Sequence, residues 1–203
     1  QERIPKEFSS DEEENVDDEI PQTNTWDNEG LWYLSGDTES YNWLLDRSNS
    51  PDEIVHGVSD GSVKESQEEG TFAWALLNKV NDNTYEPMGV SAQGWEGLYS
   101  TKLPTNEVHS YRMEALGLLS VLTYLRTEIR WQGKVEWHID SQSVINTFDK
   151  CERLNTESWH RKRDKDIRTS LHIDKQLRKD RIIIFHLESH VPTKKHKEIN
   201  KTI

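Results

Sequence analysis

Three acidic residues, each in a different local sequence, are the side chains of this chain best suited to chemistry. Asp60 precedes a Gly-Ser pair at the end of a β-branched run, and Asp140 ends a second run of that kind. Glu114 lies early in a long segment with helical spacing. Mg²⁺ and Mn²⁺ require clustered hard oxygen ligands such as these. If the three carboxylates converge, they predict a metal-dependent phosphodiester enzyme.

Alternation and helical spacing predict the elements that must position these carboxylates. Short β-branched runs indicate strands, and apolar residues recurring every three or four positions indicate helices. The predicted strands are 54–59, 71–77, 90–95, 134–139 and 181–187, and the predicted helices are 107–128, 141–151 and 164–179. Consecutive strands with short connections form an antiparallel meander, whereas strands separated by helices add in parallel through right-handed crossovers. The predicted fold is α/β, with a mixed five-stranded sheet flanked by helices.

Charge and aromatic content divide the chain into three parts. Residues 1–25 are acidic and poor in apolar side chains, which predicts a disordered tail. Residues 26–52 carry several aromatic side chains, which predict either a strap packed on the domain or a hinge to a preceding domain. Residues 53–203 hold the regular pattern and form the predicted domain. The net charge of −12 arises at the N-terminus, because residues 1–53 have 16 acidic and 3 basic residues.

Cysteine usage and hydropathy exclude several classes of protein. Cys151 is the only cysteine, so a disulfide framework is excluded and an intracellular location, cytoplasm or nucleus, is expected. The sequence has no apolar run of transmembrane length and no signal-peptide pattern, so no membrane partner is expected. Residues 151–203 have 14 basic and 8 acidic residues, which suits either a polyanionic partner or an ordinary solvated helix face. The N-terminal Gln1 and the end at Ile203 suggest a fragment of a longer protein.

In their order along the chain, these motifs resemble the ribonuclease H type 1 family of the RNase H-like superfamily. The resemblance is greatest to the RNase H domains of retroelement reverse transcriptases and covers residues 53–203. It is carried by Asp-Gly-Ser at Asp60, Ser-Tyr-Arg-Met-Glu-Ala-Leu around Glu114, His-Ile-Asp-Ser around Asp140, and His190 after the last predicted strand. Each motif alone is common, but their order on successive elements is specific.

The resemblance implies an endonuclease that cuts the RNA strand of RNA:DNA hybrids with two Mg²⁺ or Mn²⁺ ions. Asp60, Glu114 and Asp140 match metal-binding and catalytic carboxylates of the family, and His190 matches a histidine that assists proton handling or product release. A fourth carboxylate is implied at the start of a last helix. It is either Glu198 or a residue beyond the present C-terminus, in which case the last helix is missing and the domain is truncated. The implied context is a polyprotein with a preceding reverse transcriptase domain.

Residues beside the carboxylates are candidate substrate contacts because of their positions. Backbone amides next to Asp60 are placed to meet a ribose 2′-hydroxyl, the group that distinguishes RNA from DNA. The candidates are Gly61, Ser62, Tyr111, Arg112, Ser141 and Gln142.

Each candidate also has an ordinary structural explanation. Asp60 suits a turn, Glu114 suits the first turn of a helix, and Asp140 suits a helix N-cap. His190 suits a surface or capping position. Two other functions remain open: a catalytically inactive RNase H-fold module that binds nucleic acid or has a structural role, and a strand-transfer enzyme of the same superfamily. The early position of Glu114 on its helix argues against the strand-transfer enzyme.

Overall fold

A mixed β-sheet with helices packed on it organises the part of the chain that this computed structural model describes, which is residues 31–64, 69–97, 108–150 and 164–187. The strands are β1 (Leu31–Gly36), β2 (Ile54–Val63), β3 (Glu69–Asn81), β4 (Thr84–Gly97), β5 (Lys134–Ile139) and β6 (Ile182–His186). The helices are α1 (Thr38–Arg47), α2 (Ser110–Tyr124), α3 (Gln142–Asp149) and α4 (Lys165–Arg178). The sheet order is β1-β4-β3-β2-β5-β6.

Strand directions confirm the predicted fold class. The strands β2, β3 and β4 form the antiparallel meander, and β5 and β6 continue the sheet parallel to β2. Antiparallel neighbours need only a tight turn, whereas parallel neighbours need a crossover connection. In this chain α2 lies between β4 and β5, and α3 and α4 lie between β5 and β6.

The sheet has six strands, so the predicted five-stranded sheet is one strand short. The additional strand, β1, pairs antiparallel with β4 at the edge of the sheet. Asp37 then begins α1 by accepting a hydrogen bond from the Ser40 amide at 2.6 Å, and α1 buries Leu44 completely. A six-residue edge strand without clear alternation carries little local signal, because its partner strand decides its conformation. The folded unit therefore begins before residue 53, within the segment interpreted as a strap or hinge.

The central element of the core is α2. Every residue from Arg112 to Tyr124 is buried, because α2 packs on β2 and β3 and also on α4. A helix that is apolar on all sides is stable only where it is enclosed in this way. The helix continues as a π-helical turn, Leu125–Ile129, and ends at Arg130 in the left-handed conformation, with φ 58°. Within the described ranges, no helix has the length and hydropathy needed to cross a membrane.

Candidate metal centre

The three acidic residues selected from the sequence lie together at one end of the sheet. Asp60 is on β2, Glu114 is on α2, and Asp140 directly follows β5. In the parallel register, Val58 pairs with His138, so Asp60 and Asp140 lie two residues further along adjacent strands. Ligand oxygens of all three carboxylates lie within 4.8 Å of one another. The structure thus brings together side chains that are 26 to 80 positions apart in the chain.

Gly61 allows the helix to approach closely enough for Glu114 to join the two aspartates. A Cβ atom at this position would lie 2.6 Å from the Glu114 nitrogen and 2.6 Å from the Met113 carbonyl carbon. Both are backbone atoms of α2, so a larger residue would push the helix away from β2. The Gly61 amide also donates a hydrogen bond to the Glu114 carboxylate. Gly61 is therefore a positioning residue for Glu114, and its amide is already engaged.

The electrostatics of the cluster are unfavourable without a cation. Burial, followed by the negative charge of Asp140 and Asp60, raises the pKa of Glu114 to about 8, although the Gly61 hydrogen bond opposes this. Its Oε2 atom is buried and has no hydrogen-bond partner among the described residues. Crowded carboxylates with an unpartnered buried oxygen fit a hard divalent cation, because such an ion supplies both the charge and the missing contact. The residues present therefore suit Mg²⁺ or Mn²⁺.

The ordinary structural explanations of the three acids do not hold. Asp60 lies inside β2, paired with Ala73, and not in a turn. Glu114 is the fifth residue of α2, beyond the first turn where the helix dipole favours an acid. The N-cap of α3 is Ser141, whose hydroxyl accepts a hydrogen bond from the Val144 amide at 3.4 Å, so Asp140 is free of that role.

A groove begins at Asp60 and crosses the open face of the meander. It has a volume of about 350 Å³, and Ser62 lies in its wall. The other groove residues with a polar side chain or an exposed aromatic side chain are Thr71, Gln93 and Trp95. Sequence reasoning missed these three, because only the strand pairing places Gln93 in the row of Asp60, and Thr71 and Trp95 in the row of Ser62. Alternation along β3 and β4 shows which residues share a face but not which strand position they oppose.

Arg112 is not available to a substrate, which corrects its assignment as a candidate contact. Its side chain is 2% exposed and lies among three carboxylates. It donates to Glu96 at 2.7–2.8 Å, to Asp164 at 3.0 Å and to Asp166 at 3.0–3.1 Å. Its partners lie on β4 and at the start of α4, so Arg112 fastens the beginning of α2 to both. Arg112 lies close to Glu114 in the sequence because it holds the helix that carries Glu114 in place.

The remaining candidate contacts differ in what they already touch. Tyr111 is partly buried, with its ring stacked on His109 at 6.0 Å and the Arg168 guanidinium 4.6 Å from its centre. Ser141 serves as the N-cap of α3. Gln142 is exposed, and its Nε2 atom donates to Asn146 at 3.0 Å. Of these, Gln142 is the residue most accessible beside Asp140, and substrate contact by all three stays a prediction.

Two expected site residues, His190 and Glu198, lie outside the described ranges. A different histidine, His186, lies beside the centre: its Nε2 atom is 3.0 Å from the Asp140 carbonyl oxygen. The parallel pairing of β5 with β6 sets Ile139 opposite His186 and explains this contact. Sequence reasoning missed it because the register of β6 is not visible in the sequence.

No protein-family model matches the sequence, and no curated protein matches it. Solved structures of ribonuclease H1 are similar. LC11-RNase H1, isolated from compost by a metagenomic approach, has a TM-score of 0.42 at 12% identity, covering 73% of this chain and 91% of its own. RNase H1 from the halophilic archaeon Halobacterium salinarum NRC-1 has a TM-score of 0.43 at 18% identity, covering 68% and 87%. LC9-RNase H1, a type 1 RNase H with the type 2 active-site motif, has a TM-score of 0.49 at 12% identity, covering 76% and 72%.

At these identities and TM-scores, the likeness by itself assigns neither a substrate nor a metal to this chain. What the chain's own fold and site define is a mixed α/β protein with a three-carboxylate centre at one end of its sheet.

Proposed function

We propose that this protein is a metal-dependent endonuclease that hydrolyses the RNA strand of RNA:DNA hybrids. The observation that carries the proposal is the convergence of Asp60, Glu114 and Asp140 within 4.8 Å, each on a different element. A single carboxylate at a strand end is common, but three that converge, with an unpartnered oxygen on the buried Glu114, are costly to fold without a ligand.

The three carboxylates would hold one or two Mg²⁺ or Mn²⁺ ions. Bound divalent ions supply activation of the attacking water and neutralisation of charge on the leaving oxygen in phosphodiester hydrolysis. In the net reaction, a water oxygen bonds to phosphorus, the phosphorus–oxygen bond to the next nucleotide breaks, and the leaving oxygen gains a proton. Glu114 is oriented for ligation by the Gly61 amide, and Asp140 is anchored at the junction of β5 and α3. His190 is proposed to assist the departure of the proton or product.

The groove beside Asp60 supports RNA as the strand that is cut. Its hydroxyl and amide side chains, on Ser62, Thr71 and Gln93, match the donor and acceptor character of a ribose 2′-hydroxyl. Trp95 is 44% exposed at the same groove, where an aromatic face suits packing on a sugar or base. LC11-RNase H1 has been crystallised in complex with an RNA/DNA hybrid. We propose the same substrate for this chain.

The proposal includes a retroelement origin, with a reverse transcriptase domain encoded upstream of this segment. The support is the resemblance of the motifs around Asp60, Glu114 and Asp140. Sequencing the surrounding gene tests this part separately: an upstream reading frame for a polymerase supports it, and an unrelated neighbour contradicts it.

The test of activity is cleavage of an end-labelled RNA:DNA hybrid with Mg²⁺ or Mn²⁺, beside double-stranded RNA and double-stranded DNA. We expect cleavage of the RNA strand of the hybrid alone. Asp140→Asn should lower the rate by more than about a hundredfold, since losing even an outer-shell partner of a metal costs 10–100-fold. The matched control is Asp82→Asn, which removes the same charge from an exposed position between β3 and β4.

Two results would contradict the proposal. Full activity in a folded Asp140→Asn protein would remove the carboxylate centre from the reaction. Hybrid binding without metal-dependent cleavage would identify the chain as a binding module that retains the fold.

A further inference from the structure

A second cluster of charged residues lies at the opposite end of β5 from the carboxylates. Four arginines surround one pocket of about 180 Å³. The pocket is lined by Arg126, Arg130, Trp131, Gln132, Leu177, Arg178 and Arg181. Only seven arginines occur in the described ranges of this acidic chain, so more than half of them meet here. We refer to this site as the arginine pocket.

The arginine pocket exists because two helical segments end beside the start of β5. The π-helical turn after α2 supplies Arg126 and ends at Arg130, whose left-handed backbone turns the chain toward β5. Arg178 is the last residue of α4, and Arg181 ends the short 3₁₀ turn that follows. With Asp140 at the other end of the six-residue β5, the pocket and the carboxylate centre are separated by roughly 20 Å of strand.

Hydrogen bonds orient the guanidinium groups of the pocket but leave most of their charge uncompensated. Arg178 donates to the Trp131 carbonyl at 3.3 Å, and Arg181 donates to the Gln132 carbonyl at 2.6 Å. Carbonyl acceptors are neutral, so these bonds fix the positions of two cations without cancelling them. One carboxylate, Asp174, accepts from Arg126 at 2.8 Å. Among the described residues that line the pocket, none is acidic.

Arg178 carries the clearest sign that the pocket is built for an anion. Its side chain is 6% exposed, and its Nε donor is buried without an acceptor among the described residues. Burial lowers its pKa to about 10, and the positive charges of Arg181 and Arg126 contribute in the same direction, although Asp174 opposes them. A buried cation that is repelled by its neighbours gains stability from an added negative charge.

We propose that the arginine pocket binds a phosphate group. Guanidinium groups recognise phosphate through paired, charge-assisted hydrogen bonds, and several converging arginines are the usual arrangement for this. The phosphate belongs either to a nucleic-acid backbone or to a small free phosphate compound. Both present the same oxyanion, and the experiment below separates them. This inference is independent of the proposed nuclease activity.

The test compares the wild type with the double variant Arg130→Gln/Arg181→Gln. The matched control is Lys79→Gln/Lys150→Gln, which removes two positive charges from exposed positions outside the pocket. Binding of inorganic phosphate and pyrophosphate is measured by calorimetry. Binding of an RNA:DNA hybrid is measured with EDTA present over a series of salt concentrations. A single Arg130→Gln variant replaces the double variant if circular dichroism shows that the double variant does not fold, since Arg130 is exposed.

A free phosphate compound as the ligand predicts that pyrophosphate binds the wild type and the control, and binds the pocket variant about tenfold more weakly or worse. A backbone phosphate as the ligand predicts instead that hybrid affinity falls in the pocket variant alone. The slope of log affinity against log salt should then fall by about one, the loss of one phosphate contact. Equal behaviour of pocket variant and control in both assays would overturn the proposal.

Discussion

Two clusters of charged side chains are centred on residues of α2 that are two positions apart, Arg112 and Glu114. The two clusters differ in their balance of charge. Around Arg112, one buried cation lies among Glu96, Asp164 and Asp166, and each partner is within hydrogen-bonding distance. Around Glu114, three carboxylates crowd together, and none of the described groups that shift the pKa of Glu114 is basic. The charges of the Arg112 cluster are balanced by protein side chains, whereas the side chains of the Glu114 cluster are all acidic.

The difference shows in the direction of the pKa shifts. Burial acts to raise the pKa of Asp164. Hydrogen bonds from His109 and Arg112 outweigh burial, so the pKa of Asp164 is lowered. Glu114 is equally enclosed, yet neighbouring acids act in the same direction as burial, and its pKa rises. Similar burial therefore has opposite consequences, depending on whether the surrounding charges are of opposite or like sign. A folded chain retains such an uncompensated cluster at a cost, which is typical of a functional site.

The largest expected effect on the free energy of unfolding comes from a change in the Arg112 cluster. Arg112→Ala should lower the free energy of unfolding by about 3–5 kcal/mol, because it leaves Glu96 and Asp164 buried without their cation. Denaturant unfolding measures this. Arg47→Ala is the control: Arg47 meets Glu53 at 4.0 Å with both side chains more than a third exposed, so about 1 kcal/mol or less is expected. Equal losses in the two variants would mean that the Arg112 cluster adds nothing by being buried.

A substitution in the Glu114 cluster should increase stability, whereas one in the Arg112 cluster should decrease it. Glu114→Gln should raise the free energy of unfolding in EDTA at pH 7, by at most about 3 kcal/mol, because it removes a carboxyl group that resists ionisation when folded. The folded pKa of about 8 lies above the usual 4.5, so the contribution of Glu114 to stability is complete below 4.5 and lost as pH rises toward 8. The gap between variant and wild type should therefore widen from pH 5 to pH 8. A gap that stays constant with pH contradicts the assignment.

Binding of a divalent cation should offset the repulsion between these carboxylates. At a concentration 100 times its dissociation constant, Mg²⁺ or Mn²⁺ should stabilise the wild type by about 2.7 kcal/mol. Asp60→Asn should lose most of this gain, while Asp82→Asn, with its exposed carboxylate, should keep it. Thermal unfolding with and without the ion gives the comparison. Equal stabilisation of the two variants would place the ion somewhere other than this centre.

The sequence sufficed to predict the acidic members of the centre because each has a local signal. Asp60 and Asp140 come at the ends of β-branched runs, and Glu114 lies in a segment with helical spacing. Strand directions followed from the lengths of the connections, which separate a meander from crossovers. These features depend on residues within a few positions of one another, so a single sequence contains them.

The parts that escaped prediction depend on long-range pairing. Arg112 looked like a substrate contact because it adjoins Glu114, and only the fold shows partners 16 and 52 positions away. The edge strand β1 is defined by its register with β4, and the groove beside Asp60 depends on the registers of β2, β3 and β4. A register shift of one residue exchanges the two faces of a strand, and local propensity does not determine it.

The smallest expected effect lies at the rim of the Arg112 cluster. Asp166 accepts two hydrogen bonds from Arg112, but its side chain is 21% exposed, so water can replace part of what it provides. Asp166→Asn should therefore lower the free energy of unfolding by about 1 kcal/mol, well below the effect of removing Arg112. Glu96 and Asp164 still compensate the guanidinium in this variant, and cleavage of the hybrid should be unchanged because the carboxylate centre is intact. A loss as large as that of Arg112→Ala would show that the cluster acts as one cooperative unit, in which no acid is dispensable. Lost cleavage at unchanged stability would instead show that the start of α4 positions Glu114.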